Sequence, residues 1–245
     1  MENSPQKAPI RLETDRAKQV HSLFSGVAGN YDQLNTLISF GIHHRWRRAL
    51  VRWSQAKPGD SVLDLATGTG DLALEFKRQL GPSSKVLGTD FNLEMLKTAP
   101  EKAKSQGLEV QFEQADATQL VYESGRFDIV SISYGIRNVD DTARAVREMH
   151  RVLKPGGRLM ILETGHAVNP LLHGIFRIYF KHIMPRIAAL LGGDLRSYQY
   201  LESSASSFPS GEQLVALIRA NGPFSEVFAR PLLGGVSWMY RATKS

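Results

Sequence analysis

One stretch constrains this chain more than any other: Val62-Leu63-Asp64-Leu65-Ala66-Thr67-Gly68-Thr69-Gly70-Asp71. The apolar residues of a buried strand run straight into small residues, and a helical pattern follows. Gly68 and Gly70 permit a tight turn and a close backbone approach to a ligand. Asp90 stands 20 residues beyond Gly70, at the end of the next strand, where one carboxylate can accept both hydroxyls of a ribose. Strand, glycine turn, helix and carboxylate in this order predict a nucleotide-type cofactor at the edge of an open parallel sheet.

The rest of the chain carries the same alternation. Short apolar runs at 61–66, 85–89, 110–112, 127–133 and 158–162 are separated by helical stretches ending near Leu80, spanning about 94–105, and spanning about 141–153. This βαβ repetition predicts an α/β fold, a Rossmann-like, doubly wound and mainly parallel sheet of seven strands. Two further apolar runs, 224–228 and 236–241, close the sheet after a helix near 211–220. Before the first strand, three helical faces predict an N-terminal cap over 15–57, preceded by a loose arm, 1–14. A helical insertion of about 166–207 follows the fifth strand. With 245 residues, 42% of them hydrophobic, a single domain with its core at 58–245 is expected.

The glycine turn alone leaves two cofactors open, because Gly68-x-Gly70-x-x-Ala73 with Asp90 also fits a dinucleotide fingerprint. Three features favour S-adenosylmethionine. Asp64 in the strand and Asp71 at the helix start would repel a pyrophosphate but suit the ammonium of a methionine moiety. Gln114-Ala115-Asp116-Ala117, after the third strand, can offer a carboxylate and a backbone amide to an adenine edge. Val152-Leu153-Lys154-Pro155-Gly156-Gly157-Arg158 enters the fifth strand by a turn whose placement resembles class I methyltransferases.

Composition removes other chemistries. There is no cysteine, which excludes disulfides, thiolate metal sites and cysteine nucleophiles, and no metal is expected. The first 30 residues mix both charges and lack an apolar run, so neither a signal nor a transit peptide is read there and a cytoplasmic location is the default. The formal charge of +6 suits an anionic partner, an acidic lipid surface or a nucleic acid, without choosing between them.

Ligands of such sheets bind beyond the carboxyl ends of the strands, so Ser133-Tyr134-Gly135-Ile136-Arg137-Asn138 faces the reacting group. No Asn-Pro-Pro-Tyr type motif stands here, which disfavours methylation of a base nitrogen. Arg137 followed by Asn138 suits an oxygen anion instead.

These residues, with Tyr31-Asp32-x-x-Asn35-x-x-x-Ser39-x-Gly41-x-His43-x-x-Trp46 in the cap, Arg151–Gly157 through Glu163, Pro185-Arg186-Ile187, Ser197-Tyr198-x-Tyr200-Leu201 and Phe208-Pro209, resemble the C-methyltransferases of ubiquinone and menaquinone biosynthesis. The resemblance covers roughly residues 20–244. It departs from the family pattern at Leu34, Tyr134 and Thr164-Gly165, where methionine, phenylalanine and a residue followed by serine are usual. It implies cofactor contacts at Thr69, Asp90, Asp116, Ala117 and Ser133, which join the turn residues Asp64, Ala66, Gly68 and Gly70 as candidate S-adenosylmethionine-binding positions. It also implies a polyprenyl quinol substrate, a demethylmenaquinol or a benzoquinol. Ionising a ring hydroxyl, of pKa about 10 like tyrosine's, makes the neighbouring carbon nucleophilic toward the sulfonium methyl. On this reading Arg137 favours the phenolate, Asn138 and Tyr31 orient the ring, and His43 or a water takes the proton.

A basic amphipathic helix at 171–187, with Leu171, Ile175, Phe176, Tyr179 and Ile183 on one face and His173, Arg177 and Lys181 on another, is expected to cover the active site or to lie on acidic lipid at the inner face of the cytoplasmic membrane. A homodimer is compatible with this pattern. The basic cluster His43-His44-Arg45-Trp46-Arg47-Arg48 fits the family signature and is not assigned to nucleic acid.

Overall fold

The alternation becomes one sheet of seven strands: β1 (Ser61–Leu65), β2 (Lys85–Asp90), β3 (Gln111–Gln114), β4 (Phe127–Ser133), β5 (Leu153–Thr164), β6 (Phe224–Leu232) and β7 (Ser237–Lys244). The computed structural model describes residues 14–166, 174 and 195–245. Across the sheet the order is β3-β2-β1-β4-β5-β7-β6. β1 lies parallel to β2 and β4, β2 to β3, and β4 to β5, whereas β7 runs antiparallel between β5 and β6. The start of β7 therefore lies at the same end of the sheet as the end of β5, with Thr164 opposite Ser237.

The helices are α1 (Asp15–Val27), α2 (Tyr31–Ile38), α3 (Ile42–Trp53), α4 (Asp71–Leu80), α5 (Leu93–Leu96), α6 (Ala99–Ser105), α7 (Thr142–Val152), α8 (Leu195–Ser207) and α9 (Glu212–Ala220). Their ends follow local chemistry. The Thr14 hydroxyl accepts the Ala17 amide and caps α1, and the Asp141 carboxylate accepts the Arg144 amide and caps α7. The single helix expected over 94–105 is broken into α5 and α6. Pro100 in the first turn of α6 has no amide proton, and its ring would meet the carbonyl of Leu96, the last residue of α5. β5 begins at Leu153 rather than Arg158, because Leu153 already pairs with Phe127 and a register shift takes up the glycine turn.

Two apolar layers flank the sheet. Leu63, Leu65, Val130, Ile132, Leu159, Ile161 and Tyr240 face α7 and α9, while Val62, Ile129, Met160, Leu162 and Met239 face α3 and α4. Alternate residues of each central strand serve opposite layers, as a sheet covered on both faces requires. The segment expected as a basic amphipathic helix, 171–187, lies outside the described residues apart from Gly174, as do the side chains of Ser197 and Tyr198.

At the centre, β1 and β4 end against each other. A Cβ built on Gly135 would stand 2.5 Å from the Ala66 methyl, and Ala66 itself has a left-handed backbone, φ 47°. Both positions are sterically demanding, and neither neighbour can retreat from the sheet. Gly135→Ala is therefore expected to destabilise the fold by about 1–3 kcal/mol, the cost of overpacking a tight core. Gly26→Ala, in a helix with nothing within 4 Å of the added methyl, should leave stability unchanged or raise it. Thermal unfolding of the two variants checks this; equal midpoints would remove the claimed tight approach.

Candidate active site

The strand order reverses between β1 and β4, which opens a crevice at their carboxyl ends. The turn leaving β1 is built from left-handed residues, Ala66, Gly68 (φ 58°) and Gly70 (φ 88°), and β4 leaves through Tyr134 (φ 56°). The Gly68 amide donates to Asp90 Oδ2 at 2.8 Å, and the Asn92 amide to Asp90 Oδ1 at 2.8 Å. An ionised carboxylate offers about four acceptor positions, so Asp90 keeps room for the two hydroxyls of a ribose. Burial pushes its carboxyl up to about 6, against these amide donors, which favour the charged form.

Beside it, the Ala115 amide donates to the Asp90 carbonyl, bringing Asp116 and Ala117 next to Asp90. Asp116 is fixed by a turn of its own, accepting the Thr118 amide at 2.7 Å and hydroxyl at 2.8 Å. On the other wall the Ser133 hydroxyl is buried with no hydrogen-bond partner. An orphaned hydroxyl, a carboxylate with spare acceptor capacity and a turn of left-handed residues fit an adenosyl group.

Asp64, expected to face an ammonium, is engaged within the protein: its oxygens accept the Thr67 and Ser131 hydroxyls, each at 2.6 Å. Asp71 is likewise corrected. Arg47 from α3 donates to Asp71 Oδ2 at 2.5 Å, and the Lys102 ammonium from α6 pairs with Oδ1. Burial opposes ionisation of Asp71, but Arg47 and then Lys102 overcome it and hold the carboxyl below its ordinary range. Lys102 also pairs with Asp32 of α2 at 2.5 Å, and Asp32 accepts the Thr69 hydroxyl at 2.6 Å. These bonds seam the cap to the glycine turn. A cleft of about 1230 Å³, bordered by Asp32, Leu37, His44, Arg47, Asp71 and Lys102, runs along the seam, away from the ends of β4 and β5.

Helix α1 crosses the crevice from above. Arg16 donates to the Arg137 carbonyl at 2.8 Å near one end, and Asn92 donates to the His21 carbonyl at 3.0 Å nearer the other. Tyr31, the first residue of α2, lies over the turn, its Cε1 3.9 Å from where a Gly68 Cβ would stand. Burial raises its pKa, with Asn35 bonded to it and Arg47, Arg137 and Asp90 within electrostatic reach.

Arg137 is placed differently from the expectation of a fixed, available positive charge. It is 5% exposed and its Nη1 donates to Glu163 Oε1 at 2.5 Å and to the Tyr134 carbonyl at 2.8 Å; Glu163 is fully buried. The charge is balanced, although Nε remains buried without an acceptor. Asn138 Oδ1 accepts the Tyr200 hydroxyl of α8 at 3.0 Å.

His43, expected as a candidate proton acceptor, lies in the seam. It is 4% exposed, its Nδ1 lies 2.5 Å from the Ser39 hydroxyl, and burial, Arg47 and His44 lower its pKa to about 3. It faces His44 and Asp71, with ligand-type atoms of the three within 4.8 Å of one another, rather than Arg137. A metal ion would have to compete there with the two cations already on Asp71.

Arg47, Lys102, Glu163 and Tyr200 were not singled out as site residues. A signal for Arg47 existed: His43, Arg47, Leu50 and Val51 share the buried face of α3, while Arg45, Arg48 and Arg52 are exposed.

The Asp64 carboxyl is buried and raised to about 6 from 3.8, so it contributes stability that is present at low pH and lost as pH rises through 6. Asp64→Asn cannot ionise. Its unfolding midpoint, relative to the parent, should therefore rise between pH 5 and pH 7.5, and an equal difference at both would mean that ionising Asp64 carries no burial cost.

The model of the ubiE/COQ5 methyltransferase family matches residues 12–244. The chain is 47% identical over 224 residues to the ubiquinone/menaquinone biosynthesis C-methyltransferase UbiE of Bdellovibrio bacteriovorus, covering 91% of this chain and 95% of that protein. It is 40% identical over 221 residues to the demethylmenaquinone methyltransferase of Deinococcus radiodurans, covering 90% of each. A solved S-adenosylmethionine-dependent methyltransferase from Thermotoga maritima superposes with a TM-score of 0.66 at 19% identity, over 92% of this chain and all of that one, and shares its fold. With S-adenosylmethionine as its cofactor and the seven-stranded sheet of class I methyltransferases, the chain belongs to the ubiE/COQ5 methyltransferase family.

Proposed function

We propose that this enzyme methylates a ring carbon of a polyprenyl quinol, with demethylmenaquinol as the expected ring. The observation that carries this reading is the near full-length match to relatives whose names share menaquinone biosynthesis. S-adenosylmethionine, when bound, supplies an electrophilic methyl group on a sulfonium. Asp90, Asp116, Ala117 and Ser133 are the residues of this chain that would hold its adenosyl part.

The remaining groups act on the ring. Tyr200 occupies the oxygen of the Asn138 amide, which leaves the amide NH2 as a donor toward a ring oxygen. Tyr31, with its raised pKa, stays protonated at neutral pH and donates as well. Arg137 Nε is a third donor in reach of this end of the sheet. Together these donors would favour the ring phenolate, which makes the neighbouring carbon nucleophilic toward the methyl group that S-adenosylmethionine would supply. The ring carbon then loses its own proton to restore aromaticity. With the pKa of His43 near 3, water is the acceptor this reading leaves for the two ring protons.

A polyprenyl tail resides in lipid, so the proposal includes peripheral contact with a membrane. Among the described residues, no helix is long and apolar enough to cross one.

Purified protein with methyl-labelled S-adenosylmethionine should label demethylmenaquinol, with a demethylated benzoquinol tested in parallel. Asn138→Ala should lower kcat about 100-fold, the effect of removing one aligned donor, with cofactor affinity unchanged. Transfer to neither ring but to another phenol would refute the quinol reading.

A further inference from the structure

A methionine moiety is a zwitterion, and the residues expected to receive it were acids. The structure leaves them little capacity for this, since Asp71 holds two cations and Asp64 two hydroxyls. The carboxylate half of the zwitterion had no assigned partner at all. It needs a cation, or a cluster of N–H donors, at the methionine end of the crevice.

Arg47 has that chemistry and that position. It is 7% exposed and bonded to Asp71, which directly follows Gly70 of the glycine turn, so the guanidinium stands beside the turn where α4 begins. Of five N–H donors, Nη1 is spent on Asp71, while Nε is buried with no acceptor. Leaving a buried donor unmade is costly, and a guanidinium fork matches a carboxylate by geometry. The Asp71 bond also fixes Arg47 against the first turn of α4. The leading amides of that helix have no partners within it, and its dipole favours an anion there.

We infer that Arg47 binds the carboxylate of the methionine moiety of S-adenosylmethionine, with the start of α4 alongside. This rests on the cofactor reading and adds a subsite to it. The seam then has two jobs. Asp71 neutralises part of the charge brought by Arg47 and Lys102, and it aims Arg47, so the cap that supplies the arginine closes on the cofactor it helps to hold.

The test compares binding of S-adenosylmethionine and its decarboxylated analogue by titration calorimetry. The parent protein should prefer the carboxylated ligand by about 10- to 100-fold, the range for a hydrogen bond between charged groups. Arg47→Met should lose that preference, binding both ligands about as well as the parent binds the decarboxylated one. Arg47→Lys keeps a cation on Asp71, which guards against a folding failure, but lacks the fork, and should lose most of the preference. Full preference retained in both variants, or equal weakening of the two ligands, overturns the proposal while the cofactor reading stands. Failure of the parent to bind either ligand overturns the cofactor reading and the proposal together.

Discussion

Asp71 lies in the first turn of α4 with a cation from each side of the molecule on its two oxygens, Arg47 from the cap and Lys102 from the core. Much of the site's shape follows from this arrangement. Because Arg47 is tied to the turn, α3 cannot move away from α4. Because Lys102 also reaches Asp32, α2 is drawn down until Tyr31 covers Gly68. Removing one member of such a cluster leaves its partners with partly buried, unbalanced charge, which costs more than the cluster contributes when whole. The cap is thereby a wall of the crevice, held by charge as much as by apolar contact.

The sheet was legible in the sequence because its signal is local. Strands such as Phe127–Ser133 announce themselves by a short apolar run between breakers, and the turn at Gly68 and Gly70 by residue type. Boundaries shifted where Pro100 interrupts a helix and where Leu153 pairs with Phe127 ahead of the glycine turn. The site's electrostatics were not legible, because they depend on pairs far apart in the chain: Arg47 with Asp71, Lys102 with Asp32, Arg137 with Glu163, Tyr200 with Asn138. Residue type pointed to Asp71, Arg137 and Asn138 but not to their partners. It could not say which charges were already balanced, and so Arg137, Asp71 and His43 were given roles that suit free groups.

The family departure at Thr164-Gly165 has a local explanation. A Cβ on Gly165 would stand 2.3 Å from Cδ1 of Trp238, so the indole occupies the space a larger residue would need. Thr164 meanwhile donates its amide and hydroxyl to Glu163 Oε1, which supports the partner of Arg137. Tyr134, the other departure, donates to or accepts from the Ser237 hydroxyl at 3.2 Å, a contact phenylalanine could not make. These changes are coupled to β7, which no local motif would reveal. The sheet does not select the chemistry, so such side chains must.

If the proposed reaction holds, why should an arginine that would favour the phenolate be neutralised by Glu163? The methyl donor is itself a cation. Two like charges 4 Å apart at an effective dielectric constant of 20 repel by about 4 kcal/mol, enough to weaken cofactor binding severely. A free Arg137 would favour the phenolate and disfavour the sulfonium in the same pocket. Pairing it with a fully buried glutamate removes most of the long-range field and leaves short-range donors, whose effect is confined to an oxygen in contact with them. The same logic separates Arg47, which can meet the cofactor's carboxylate directly, from Arg137, which cannot. On the two proposals, the carboxylate and the sulfonium of one ligand would meet arginines managed in different ways, one aimed by an aspartate and one neutralised by a glutamate.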